Sequence, residues 1–197
     1  MIVLENKQLV ILTPPHTASK NLHEALCRPP HNGLWVVGRN PDGHIDHHVS
    51  IASEPWLHFR IACVVRDPLE RLRGLWVHHC ISCRRLGTPA LLWPQYVMSL
   101  STERWGVLPS YLDHYTISRW LHKTALQEVI RFEALQEELL RVLGEPVELA
   151  PGWTDDGEHP SMEELFAEEN KIRFHAAAWS LPDRVRWDYK LFWNETQ

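Results

Sequence analysis

The sequence predicts an α/β domain with a mainly parallel central sheet. Two observations support this most directly. Short apolar runs at residues 8–13, 59–65 and 128–132 are too brief for helices and rich in β-branched residues, as strands buried on both faces are. Each is followed by a segment whose apolar residues recur at helical spacing, and strands alternating with helices build parallel sheets. A third observation sets the scale: 197 residues fit one domain, read here as 1–197, with enough chain to bury a substantial core.

The first run ends at Pro14-Pro15, so its strand stops at a turn. A helix begins near Ser19, with Leu22, Ala25 and Leu26 on one face, and ends before Pro29-Pro30. A further strand is expected at 34–37, and the histidine-rich stretch 43–49 reads as loop. The run at 59–65 leads directly into Arg66-Asp67-Pro68, where Pro68 suits the first turn of a helix continuing through Leu72, Leu75 and Trp76. Residues 91–123 mix Trp, Tyr and Leu with Pro94 and Pro109 and read as short helices. After the strand at 128–132, Leu135, Leu139, Leu140 and Leu143 mark an amphipathic helix stopped by Gly144. Residues 150–157 are loop by composition, and a last helix is expected over 182–191.

Composition narrows the function. A net charge of -5 argues against a broad basic surface for nucleic acid, so any phosphate site must be built locally. No run approaches the roughly 20 apolar residues that cross a bilayer, and no basic-then-apolar leader stands at the N-terminus. Four cysteines are too sparse for a disulfide framework. A cytoplasmic protein without nucleic-acid or membrane partners is expected.

Two points invite chemistry. A strand turning sharply into a helix presents backbone N–H groups and the positive end of the helix dipole, a ready anion site. Here that point offers His16, Thr17, Ala18, Ser19, Lys20 and Asn21: two hydroxyls, a small residue where backbone can approach a ligand, and two candidate cations. The glycines of a Walker loop are missing, so a P-loop kinase is poorly supported. The second point is Arg66, at the carboxyl end of its strand, the edge where open α/β sheets bind ligands. His78-His-Cys-Ile-Ser-Cys83 offers imidazoles and thiols, but no second half-site is evident; His79 and Cys83 share a helix face, and packing is the favoured role.

Taken together, these residues resemble the sulfotransferase family. The Pro-x-Thr-small-Ser turn is similar to that family's 5′-phosphosulfate loop, Pro-Lys-[Thr/Ser/Cys]-Gly-x-[Thr/Ser]. Val65-Arg-Asp-Pro-Leu-Glu-Arg71 resembles the 3′-phosphate motif, Val-Arg-[Asn/Asp]-Pro-x-x-Arg. Ile130-Arg-Phe-Glu-Ala-Leu135 looks like the family's Arg-Phe-Glu-Asp-Leu segment, and Trp187-Asp-Tyr-Lys-Leu-Phe192 like its closing helix. The resemblance implies a P-loop-like three-layer α/β/α domain of the short form found in bacteria or their viruses. It also implies 3′-phosphoadenosine 5′-phosphosulfate as co-substrate, an acceptor hydroxyl or amine on a glycan or small molecule, and no metal.

The resemblance carries roles onto particular residues. Residues 16–21 would hold the 5′ end and Arg66 the 3′-phosphate. His48, in His48-Val-Ser-Ile51, looks like the catalytic histidine of carbohydrate sulfotransferases, with His47 and His44 as rivals. A neutral histidine is suited to accept the acceptor's proton near pH 7. The sequence departs from the family at three places. His16 stands where the loop lysine is usual, leaving His16 or Lys20 for the cationic role; Ala18 replaces glycine; and Gly74 occupies the place of the serine that usually follows the arginine by eight residues. These departures make a non-catalytic nucleotide- or glycan-binding module the alternative.

Overall fold

The computed structural model describes residues 1–14, 17–39, 45–46, 56–66, 68–96 and 127–150. The chain divides into two compact units, Met1–Arg66 with Ile117–Thr154, and Asp67–Thr116 with Asp155–Gln197.

The first unit contains an α/β sheet. Strands β1 (Ile2–Leu4), β2 (Leu9–Leu12), β3 (Leu34–Trp35), β6 (Arg60–Val65) and β7 (Glu128–Arg131) lie in the order β3-β1-β2-β6-β7. A separate two-stranded ribbon pairs β4 (Gly38–Arg39) with β5 (Ile45–Asp46). Helix α1 (Ser19–Leu26) follows β2, and α3 (Leu135–Leu143) follows β7 after a 3-10 turn at Phe132–Ala134. Between them in sequence, the second unit contributes α2 (Pro68–Leu86).

The sheet is mixed, with β1 the one reversed strand among its five. The strands β2, β6 and β7 run parallel, with Leu12 opposite Cys63 and Val65 opposite Arg131. Strand β1 opposes both β2 and β3. The reason is local: only a 3-10 turn at Glu5–Lys7 separates β1 from β2, and so short a connection can join strands only antiparallel. The histidine-rich stretch is likewise not loop throughout, since Ile45–Asp46 pairs as β5. Strands β1 and β4 are not among those expected, whereas β2, β3, β6, β7, α1, α2 and α3 fall where the sequence predicts strands and helices. Of the short helices expected over 91–123, residues 93–96 are helical; 97–123 and the helix expected over 182–191 lie outside the described residues.

Alternating strand residues divide the core into two faces. On one, Ile2, Leu4, Leu9, Ile11, Ala62, Val64 and Ile130 pack with Leu22 and Leu26 of α1 and with Leu139, Val142 and Leu143 of α3. On the other, Val3, Val10, Leu12, Ile61, Cys63 and Val65 are covered by Val36, Trp56 and Phe59. Burial on both faces explains why these strands read as continuous apolar runs. Gly144 ends α3 in a left-handed conformation (φ 74°), its N–H donating to the Leu140 carbonyl at 2.8 Å.

In the second unit, Gly87 (φ 66°) closes α2 and the chain folds back along it. The Trp76 indole donates to the Leu91 carbonyl (2.9 Å) and meets Trp93 edge-on at 5.5 Å. Trp93 also stacks with Tyr96 and is buried, so this ring serves a core. No helix among the described residues is long and apolar enough to cross a membrane.

Candidate functional site

The parallel pairing of β2 with β6 sets the frame. Both strands point the same way and lie side by side, so the turn after β2 and the arginine after β6 emerge at one carboxyl edge, from backbones about 5 Å apart. Helix α1 packs on the face formed by Ala62, Val64 and Ile130, and Ala18 at its start touches the same cluster.

The turn itself has an unusual cap. Ala18 occupies the N-cap of α1 in a left-handed conformation (φ 58°, ψ 25°), and no side chain caps the helix. The first helical bond is Leu22 N–H to the Ala18 carbonyl, 2.9 Å. The N–H groups of Ser19, Lys20 and Asn21 therefore precede any carbonyl that the helix can offer them, which is the arrangement an anion can satisfy. Glycine is the residue that adopts this left-handed backbone without steric cost, and here it is held by an alanine.

The side chains of the turn divide into two sets. Thr17 is wholly buried, and its hydroxyl donates to the Pro14 carbonyl at 2.6 Å, so its hydrogen is committed to closing the turn. Lys20 is exposed and Ser19 half-buried. Asn21 donates through Nδ2 to the Ala150 carbonyl at 3.3 Å, tying the helix start to the segment after α3. Of the donors expected here, Ser19, Lys20 and the backbone fit an anionic group directly, whereas Thr17 shapes the turn.

Arg66 continues the β6 register one step past Val65. Since Val64 lies on the α1 face, Arg66 is in phase with it, as Phe132 is with Ile130 on β7. The two side chains meet: the guanidinium carbon sits 4.3 Å from the centroid of the Phe132 ring, and Phe132 packs against the core cluster that includes α1. The geometry thus holds a cation at the same edge as the turn. Phe132 had no assigned role in the sequence beyond belonging to the Arg-Phe-Glu segment, because an apolar residue between strand and helix reads as core.

Gly74 lies inside α2 and is half-buried; a glycine there supplies no hydroxyl. His16, His44, His47 and His48 lie outside the described residues. In the second unit, His79 Nε2 accepts the Leu91 N–H at 3.3 Å and lies 3.6 Å from the Cys83 thiol. That nitrogen's lone pair serves the fold, and no three His, Cys, Asp or Glu side chains gather as a metal site among the described residues. Burial pushes the half-buried Cys27 thiol up from its ordinary value, which makes it a poor nucleophile.

Comparison with protein-family models, with curated proteins and with solved structures finds no match to this chain.

Proposed function

We propose that the chain is a sulfotransferase, moving a sulfuryl group from 3′-phosphoadenosine 5′-phosphosulfate to an acceptor hydroxyl or amine within a cytoplasmic, P-loop-like three-layer α/β/α domain. The observation that supports it most is the parallel pairing of β2 with β6, by which the anion-binding turn and Arg66 share one edge in the order the family motifs require. The family resemblance supplies the nature of the ligand, and the edge supplies a place with two separate anion-binding elements.

The donor supplies an activated sulfur whose bond to the 5′-phosphate oxygen breaks as the acceptor's bond to sulfur forms. The N–H groups of Ser19, Lys20 and Asn21 hold the 5′-phosphate, and Lys20 or His16 offsets charge on the departing oxygen. Arg66 holds the 3′-phosphate, the group that separates this nucleotide from ADP. His48 takes the proton lost by the acceptor. One observation favours the alternative of a binding module without turnover: the Thr17 hydroxyl is directed to Pro14 rather than outward.

Titration calorimetry with adenosine 3′,5′-bisphosphate, ADP and ATP tests the nucleotide, and transfer from labelled donor to a panel of hydroxyl and amine acceptors tests turnover. Arg66→Ala should weaken the bisphosphate by about tenfold or more, the scale of a charge-assisted contact, with little effect on adenosine 5′-phosphate. Equal losses for both ligands would sink the assignment of Arg66. Preference for ATP would sink the sulfotransferase reading.

A further inference from the structure

Resting on the nucleotide reading above, we infer that Phe132 is a positioning residue for Arg66: its ring fixes the guanidinium for the 3′-phosphate and so sets the preference for a 3′-phosphorylated nucleotide. Three features converge on it. The register that pairs Val65 with Arg131 brings residue 66 level with residue 132 at the end of two parallel strands. The guanidinium carbon lies 4.3 Å from the ring centroid, well inside the range of a cation–π contact. The ring is itself anchored, since Phe132 packs on the buried cluster of Val64, Ile130, Leu139 and Leu22 and opens the 3-10 turn that leads into α3.

The chemistry explains why a ring suits this place. An arginine side chain has several rotatable bonds, and ordering them on binding costs entropy that comes out of affinity. An aromatic face attracts the cation through its quadrupole, restricts its rotamers and covers one flat side of the guanidinium, and phosphate is recognised through a guanidinium's in-plane donors rather than through that face.

The test is calorimetry on wild type, Phe132→Leu, Phe132→Met and Phe132→Tyr with adenosine 3′,5′-bisphosphate and adenosine 5′-phosphate. Leu and Met keep an apolar anchor without the π face, and either serves if the other folds poorly; Tyr keeps the face. The expected result is a loss of about three- to thirtyfold for the bisphosphate with Leu or Met, little change for adenosine 5′-phosphate, and near wild-type binding with Tyr. In an Arg66→Ala background Phe132→Leu should cost the bisphosphate nothing further, because the ring acts through the arginine. Full bisphosphate affinity in Phe132→Leu, or equal losses for both nucleotides, would overturn the positioning role alone. A wild-type protein that does not prefer the bisphosphate would overturn it together with the nucleotide reading.

Discussion

Replacing Ala18 with glycine tests the turn before α1 through its backbone. The left-handed conformation (φ 58°, ψ 25°) crowds an alanine Cβ against the following carbonyl at about 1–2 kcal/mol, a cost glycine escapes. Glycine has opposing costs, from a freer unfolded chain and a lost methyl. Ala25, in the right-handed body of the same helix, calibrates them. Both alanines are partly buried against one cluster, so Ala25→Gly loses a comparable methyl and gains the same unfolded freedom, at about 1 kcal/mol. Ala18→Gly should therefore be neutral or stabilising by up to about 1 kcal/mol, with the two variants about 1–2 kcal/mol apart. For a chain of this length the separation is about 2–8 °C in melting temperature. Urea unfolding followed by tryptophan fluorescence measures it. If Ala18→Gly destabilises as much as Ala25→Gly, residue 18 is not left-handed and the account of the turn fails.

Thr17→Val keeps the shape but removes the donor to the Pro14 carbonyl, so it should cost about 1–3 kcal/mol in urea unfolding while Thr17→Ser costs less. Unchanged stability with lost nucleotide affinity would instead assign that hydroxyl to the ligand. A pH effect is expected at Glu145, whose carboxyl is held below the usual carboxylate range by the hydrogen bond from Lys7 (Nζ to Oε1, 2.8 Å), with His31 Nδ1 3.1 Å away. A depressed carboxylate contributes stability above the unfolded value of about 4.3 and loses it as pH falls through the folded value. The stability gap between wild type and Glu145→Gln should thus close in acid and shrink in salt, and a gap that widened in acid would refute the sign.

The strands β2, β6 and β7 are legible in the sequence because burial on both faces leaves unbroken apolar runs, and α3 because Leu135, Leu139 and Leu143 repeat at helical spacing and Gly144 ends them. Strand direction is not written in such runs. The antiparallel β1 follows from the short 3-10 connection, and its three residues are too few to show a period. The place of Arg66 at the carboxyl end of β6 is legible because the strand before it is. Phe132 and the inward hydroxyl of Thr17 are not, since each depends on strand register or on the path of a turn.

If the chain is the sulfotransferase proposed above, His16 at the place of that family's loop lysine bears on turnover more than on binding. On the proposed reading, backbone N–H groups at the start of α1 would attract a 5′-phosphate whatever side chain stands at residue 16, and Arg66 would add a second anchor at the same edge. Charge developing on the leaving oxygen is another matter, because a cation must be present at the moment of transfer. His16 and the exposed Lys20 are separable on this ground. A histidine loses its charge across the neutral range, so with His16 as the cation and a neutral His48 as base, the pH–rate profile is a bell with opposed histidine limbs. With Lys20 as the cation, only the rising limb of the base remains near neutrality. Lys20→Met should then cut the transfer rate by about tenfold or more while bisphosphate affinity changes little, since Lys20 would act mainly in the transition state. A bell-shaped profile with Lys20→Met fully active would move the role to His16, and equal losses of rate and affinity would make Lys20 a binding residue.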